Sequence, residues 1–346
     1  MKQFAPRFAV TIALVAIAIG LVGRFQPTLF LRVPNVGFIL WAITGNHMPP
    51  HFDNLAWKEE NFHKIVQPGD VIQATMAKSG TMWLAHVTQL LKNNGSDNYD
   101  KIFDVWGQVE MMEYPGENIH LRIKRNENKR VSGQAMSWFS HMFPTNENYG
   151  LNATLHSKVK YIISARNGKE IIKSFVPFLN SHTDEFRKRW GGFPPPMDKV
   201  ACLKMFALDN PDFIFEHIQA WWKLRYEPNV LLVHFADLTR DPRNQILRIA
   251  KFLEIDLTSK QLKNVVAKSS FEYMKARPEK WLLHGGREDD RYLMVKENSH
   301  INKGVTGGGE EFFTAEMNEM WERAVQKHWG NADPKMIHWA AYGGSY

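Results

Sequence analysis

A single cysteine, Cys202, stands among the 346 residues. No intrachain disulfide framework exists, and neither a zinc knuckle nor a CxxC redox pair is formed. Fourteen histidines are present, yet none sits in an HExxH or comparable ligand spacing, so no metal is expected. The sequence also lacks internal repeats and low-complexity tracts, which excludes repeat architectures. Concentrated basic charge is scarce too. Apart from "LRIKRNENKR" at 121–130, the 43 lysines and arginines are dispersed, and nucleic acid is not an expected partner. The net charge of +7 still favours anionic partners, such as a phosphorylated ligand or a membrane surface.

What is present reads as an ordinary globular chain, with 44% hydrophobic and 23% charged residues. The exception is "FAVTIALVAIAIGLVG", uncharged between Arg7 and Arg24 and preceded by Lys2. As a helix it reaches roughly 24 Å, somewhat short of a ~30 Å hydrocarbon core. A second apolar patch, "VGFILWAIT" at 36–44, follows Pro27, Arg32 and Pro34, which interrupt a continuous helix. Residues 1–45 are therefore expected to be a signal or single-pass membrane anchor, with the side of the membrane open. Residues 46–330 form the predicted domain and 331–346 a C-terminal tail.

Within the domain, β-rich runs "DVIQAT", "KYIISA" and "VLLVHF" each lead through a polar turn into a helical pattern. The helices are "TMWLAHVTQLLK", "GKEIIKSFVPFL" and "DPRNQILRIAKFLE". This alternation predicts an α/β single domain with a mostly parallel central sheet flanked by helices, laid out like a P-loop NTPase. Ligands of such sheets bind where strands turn into helices.

The turn "AKSGT" at 77–81 is such a place. A helix beginning near Thr81 would leave the N–H groups of Ser79, Gly80, Thr81 and Met82 facing the loop mouth, and Lys78 adds a point charge. The elbow then holds a phosphate-like group; otherwise Ser79 or Thr81 simply caps the helix. A P-loop NTPase, and hence a small-molecule kinase, needs a glycine just before the lysine, but Ala77 is there and Gly69 lies beyond the strand. Asp237 is that reading's candidate magnesium ligand.

"AKSGTMW", with lysine ahead of glycine, resembles the 5′-phosphosulfate loop of the cytosolic-type sulfotransferases, whose donor is 3′-phosphoadenosine 5′-phosphosulfate. Four further segments resemble that family in order over about residues 60–320. In "YIISARNGKEIIKSF", Arg166 and Ser174 match the pair that grips the donor's 3′-phosphate. "HIQAWWKLRYEPNVLLVHFADLTRDPRNQILRIAKFLE" matches the family's central strand and flanking helices; there Trp221, Trp222 and His234 read as core. In "SSFEYMKARP", Ser269 and Phe271 fall where adenine is recognised, with Trp83 stacking opposite. In "NKGVTGGGEEFFT", Lys303 and Gly304 match the loop over the 3′-phosphate, while Asn302 replaces an arginine whose role Arg287 or Arg291 would take.

The resemblance also implies a catalytic base. In "WFSHMFP", His141 and Ser140 match the family's histidine segment, and Phe139 stands where that family has a lysine. A neutral imidazole suits removal of the acceptor proton, and Lys78 with the elbow amides would carry the electrostatic load. His86, His156 and His182 match no motif. Trp106, Met111, Met112, Trp138, Phe139 and Phe143 fall in segments that surround the family's acceptor, implying a small alcohol, phenol or amine. The family's dimer motif is partial, with Glu310 and Ala315 departing and Thr314 and Glu319 fitting, so a dimer is uncertain. A membrane-bound adenine-nucleotide-binding protein with little catalysis stays open, and Asn94 and Asn152 are glycan acceptors if the domain faces a lumen.

Overall fold

The computed structural model describes Val15, Ala18 and residues 66–99, 109–112, 135–144, 151–189, 194–285, 291–297, 299, 301, 304 and 306–346. The N-terminal segment, apart from Val15 and Ala18, and with it the expected anchor, lies outside the described residues, as do Trp106, Arg287, Asn302 and Lys303. No helix among the described residues is long and apolar enough to cross a membrane.

The expected alternation is present. Strand β1 (Val71–Ala74) feeds helix α1 (Thr81–Lys92), and β2 (Val109–Met111) and β3 (Ser137–Ser140) follow. Strand β4 (Lys160–Ala165) feeds α2 (Gly168–Asn180), and short helices α3 (Asp184–Arg189) and α4 (Lys199–Leu203) lead to α5 (Phe215–Lys223). Strand β5 (Val230–His234) runs into α6 (Phe235–Arg240), α7 (Pro242–Phe252), α8 (Ser259–Lys268) and α9 (Phe271–Lys275). A small antiparallel pair, β6 (His284–Gly285) and β7 (Tyr292–Leu293), precedes α10 (Gly309–Phe312), α11 (Ala315–Trp329) and α12 (Pro334–Tyr342).

The five main strands pair in parallel in the order β2-β3-β1-β4-β5. Their residues are almost all buried, as a sheet covered on both faces requires. Strand periodicity divides them between two cores. Ile72, Tyr161, Ile163 and Leu232 face α2, α5, α11 and α12, packing with Phe175, Trp221, Trp321 and Trp339. Val71, Ile162, Leu231 and Val233 face α1, α7 and α8, packing with Leu84, Val87, Ile249 and Val265. The register pairs Ala74 with Ser140 and Ala165 with His234, so the strands deliver their following turns to one edge.

Local chemistry explains the helix starts. Asn167 accepts from the amides of Lys169 and Glu170 to open α2, and Thr258 with Gln261 forms a capping box on α8. Trp221 and Trp222 are core residues, and His234 is a buried histidine bonded through Nε2 to the Ala340 oxygen and through Nδ1 to the Ala236 amide.

Candidate active site

The elbow between β1 and α1 is strained and open. Lys78 has φ +65° and Gly80 φ +95°, a left-handed path that only the glycine adopts without steric cost. A Cβ on Gly80 would come within 2.8 Å of the Phe235 ring, so glycine also permits close approach to α6. Gly80 begins α1 with no side-chain cap. The amides of Gly80, Thr81 and Met82 find no acceptor among the described residues. They form an anion-binding helix start.

Ser79 departs from the expectation. Its amide donates to the Met76 oxygen at 3.1 Å, and its fully buried hydroxyl bonds the Met76 oxygen, the Ser164 oxygen and the Ser164 hydroxyl. The turn consumes both donors, so Ser79 shapes the elbow and offers nothing to its mouth.

Lys78 is half-buried, with Nζ 3.8 Å from the centre of the Phe178 ring. Burial, reinforced by the nearby Arg166 charge, lowers its pKa to about 7. His141, at the end of β3, is held by the first strand: its Nδ1 lies 2.9 Å from the Thr75 oxygen and 3.4 Å from the Thr75 hydroxyl. The Thr75 hydroxyl also bonds that of Thr81 at 2.8 Å, tying the imidazole to the start of α1. A carbonyl only accepts, so Nδ1 carries the ring proton and Nε2 is the basic nitrogen of the neutral ring.

Arg166 leaves β4 and is locked from two sides. Its Nε donates to Glu170 Oε2 at 2.9 Å, one helical turn onward, and an NH1 hydrogen goes to the Lys78 oxygen at 3.2 Å. The guanidinium stacks on Phe235 at 4.5 Å, and burial lowers its proton affinity while Glu170 opposes that. Glu170 accepts the Gly307 amide through its other oxygen, fixing the glycine-rich loop to α2. Ser174, two turns beyond Arg166, has no hydrogen-bond partner among the described residues.

Gly304, at φ +62°, covers Phe271 so closely that a Cβ would sit 2.3 Å from its ring. Across from Phe271, Trp83 donates Nε1–H to the Ser269 oxygen at 2.7 Å. Ser269 itself is almost fully buried, with its hydroxyl turned back to the Val266 oxygen.

These groups share one cleft of about 670 Å³, lined by Lys78, Gly80, Thr81, Met82, Trp83, His141, Arg166, Ser174, Ser269, Phe271 and Gly304. Eleven of the thirteen site residues expected from the sequence are thus brought together; Ser79 lies beneath the cleft and Lys303 outside the described residues. Sequence reasoning passed over Glu170, Lys173, Phe178 and Phe235, which also line it. Glu170 was legible as an acidic residue in the first turn of the helix that follows Arg166, four positions on. Phe235 carried the signal of its position just past a strand end.

The expected acceptor residues separate. Phe139 lines the cleft, its ring edge-on to that of His141 at 5.9 Å. Trp138 and Met112 are fully buried core instead, because alternation along β3 turns Trp138 to the opposite face, where Nε1 donates to Asp70. Phe143 is 39% exposed. The side chain of Met111 and all of Trp106 lie outside the described set. His86 bonds Tyr99 and the Lys268 oxygen, and His182 the Phe178 and Leu179 oxygens. Asp237, the kinase reading's metal ligand, is engaged by Arg240 and the Gly344 amide.

Comparison with known proteins shows the family and the fold. The chain is 26% identical to Sulfotransferase 1B1 of Canis lupus familiaris over 270 residues, 78% of this chain and 85% of that protein. It is 25% identical to the amine sulfotransferase of Oryctolagus cuniculus over 274 residues, 79% of this chain and 84% of the relative. Mouse sulfotransferase SULT7A1, solved with PAP, superposes with a TM-score of 0.58 at 20% identity, covering 82% of this chain and 95% of that one. Retinol dehydratase, solved with androsterone and the inactive cofactor PAP, gives 0.57 at 20% identity, over 82% and 86% of the two chains. Residues 68–336 match the sulfotransferase domain from β1 into α12, enclosing every described residue of the cleft, and the chain belongs to that family.

Proposed function

We propose that the protein transfers the sulfonate group of 3′-phosphoadenosine 5′-phosphosulfate to a hydroxyl or amine of a small acceptor. The observation that carries this reading is the presence of His141 and the open start of α1 in one cleft with Arg166, Ser174 and Gly304. The residues fit such a donor. The unbonded amides of Gly80, Thr81 and Met82 suit a phosphosulfate, and the Ser174 hydroxyl with the Arg166 fork suits a second phosphate. Trp83 and Phe271 offer aromatic surface for a purine. Two proteins of similar fold were solved with PAP, which supports the same donor class.

When bound, the donor supplies a sulfuryl group on a good leaving group. The chain's own part is positional and electrostatic. His141 Nε2 takes the proton of the acceptor, while Nδ1–H stays on the Thr75 oxygen and fixes the ring. Lys78, protonated beside the new anion, balances charge at the elbow, and Phe139 supplies an apolar wall where the family's lysine is missing.

The test is incubation of the full chain with the donor and a panel of small alcohols, phenols and amines, with sulfated products detected by mass spectrometry. His141→Ala should abolish product and retain binding of adenosine 3′,5′-bisphosphate. Stabilisation by ATP with magnesium but not by the bisphosphate would instead favour a kinase.

A further inference from the structure

The cations around the cleft differ in how they are neutralised. Arg166 is paired with Glu170, and Lys169, on the outer side of the same helix, with Glu310 and Asn318. Lys173 is different. It lines the cleft beside Ser174 and forms no ion pair or hydrogen bond among the described residues. Its ammonium is pressed against the glycine-rich loop: a Cβ on Gly308 would sit 2.3 Å from Lys173 Nζ, and Gly308 has φ +71°. Glycine at 308 serves the left-handed turn, and the flexible end of Lys173 lies where a side chain there would begin.

No carboxylate forms an ion pair with it among the described residues. Glu170 commits one oxygen to Arg166 and the other to the Gly307 amide. Glu311 Oε2 lies 3.9 Å from the same hypothetical Cβ, yet forms no ion pair with Lys173. Glu272 lines the cleft within α9, beyond Phe271. The cleft is therefore lined together by Arg166, just before α2, by Lys173 and Ser174, seven and eight residues further on within α2, and by Gly304 and Gly307.

We propose that Lys173 supplies the charge at the 3′-phosphate end of the donor that Asn302, where the sequence resemblance has an arginine, does not. The inference rests on the proposed sulfonate-donor reading and assigns to this chain a phosphate contact from α2 in place of one from the following loop. A lysine ammonium suits this place because it acts as a compact point charge and makes no demand for a planar, two-pronged approach.

The experiment compares adenosine 3′,5′-bisphosphate with adenosine 5′-monophosphate by calorimetry, on the full chain, in the unsubstituted protein, Lys173→Gln and Lys173→Arg. Removing one charge-assisted hydrogen bond to a ligand without harm to the fold corresponds to about tenfold or more in affinity. Lys173→Gln should weaken by that much for the bisphosphate and not at all for the monophosphate, and Lys173→Arg should retain most of the preference. Equal affinity of Lys173→Gln and the unsubstituted protein for the bisphosphate overturns the inference alone, as does an equal weakening for both nucleotides. Failure of the unsubstituted protein to bind the bisphosphate overturns the proposed function and this inference with it.

Discussion

The ring proton of His141 is directed at the main-chain oxygen of Thr75, 2.9 Å from Nδ1, so a residue at the end of one strand sets the basic nitrogen of a residue at the end of its neighbour. For a general base, orientation and tautomer matter as much as basicity. His141→Gln should lower kcat by about 10²–10⁴-fold while the dissociation constant for adenosine 3′,5′-bisphosphate changes little. A variant that turns over at the original rate removes His141 from the mechanism.

Gly304 lies against Phe271 in a left-handed conformation. Gly304→Ala adds about 1–2 kcal/mol of backbone strain and drives a methyl group into the ring. Bisphosphate binding should weaken at least about tenfold, alongside a fall of a few degrees in the melting temperature of the ligand-free protein from the same strain. Tight binding by this variant would show that the loop does not close on the aromatic face.

Lys78 loses its proton near pH 7 when the cleft holds no anion, chiefly through burial and then through Arg166. Between pH 7 and the ordinary lysine value, the unfolded chain binds more protons than the folded one, so this residue makes stability rise with pH across that window. An anionic ligand reverses the preference. Binding of the bisphosphate at pH 8 should take up protons, read as a dependence of calorimetric heat on buffer ionisation enthalpy, and Lys78→Met should abolish that uptake. Heat independent of the buffer in the unsubstituted protein contradicts the assignment.

His217, on α5, is 1% exposed with neither ring nitrogen hydrogen-bonded among the described residues, and burial followed by the His141 charge lowers its pKa to about 3. His86, His182 and His234 are each lowered by burial to about 4. The unfolded histidines protonate near pH 6.5 while the folded ones stay neutral, so stability should fall as pH drops from 6.5 towards 4. His217→Phe removes one such group along with its buried, unbonded nitrogens. Urea midpoints at pH 7 and pH 5 should show a smaller acid loss for this variant than for the unsubstituted chain, and an equal loss would dismiss the histidine's part.

The sequence by itself determined the alternation of strand and helix, because β-branched runs of period two and amphipathic runs of period 3.6 are local properties of the chain. It also located the elbow, since a glycine and a lysine between a strand and a helix leave few conformations open. Only the tertiary structure decided which residues of these motifs face the cleft. Ser79 and Trp138 belong to motifs read as functional, yet the hydroxyl turned to Ser164 and the indole to Asp70, because strand pleat and turn geometry assign each side chain to a face. Arg166, Lys169 and Lys173 show the converse. Their charges were visible in the sequence, but the surroundings of each cation depend on Lys78, Glu310 and Gly308, distant in the chain, which folding alone brings within reach.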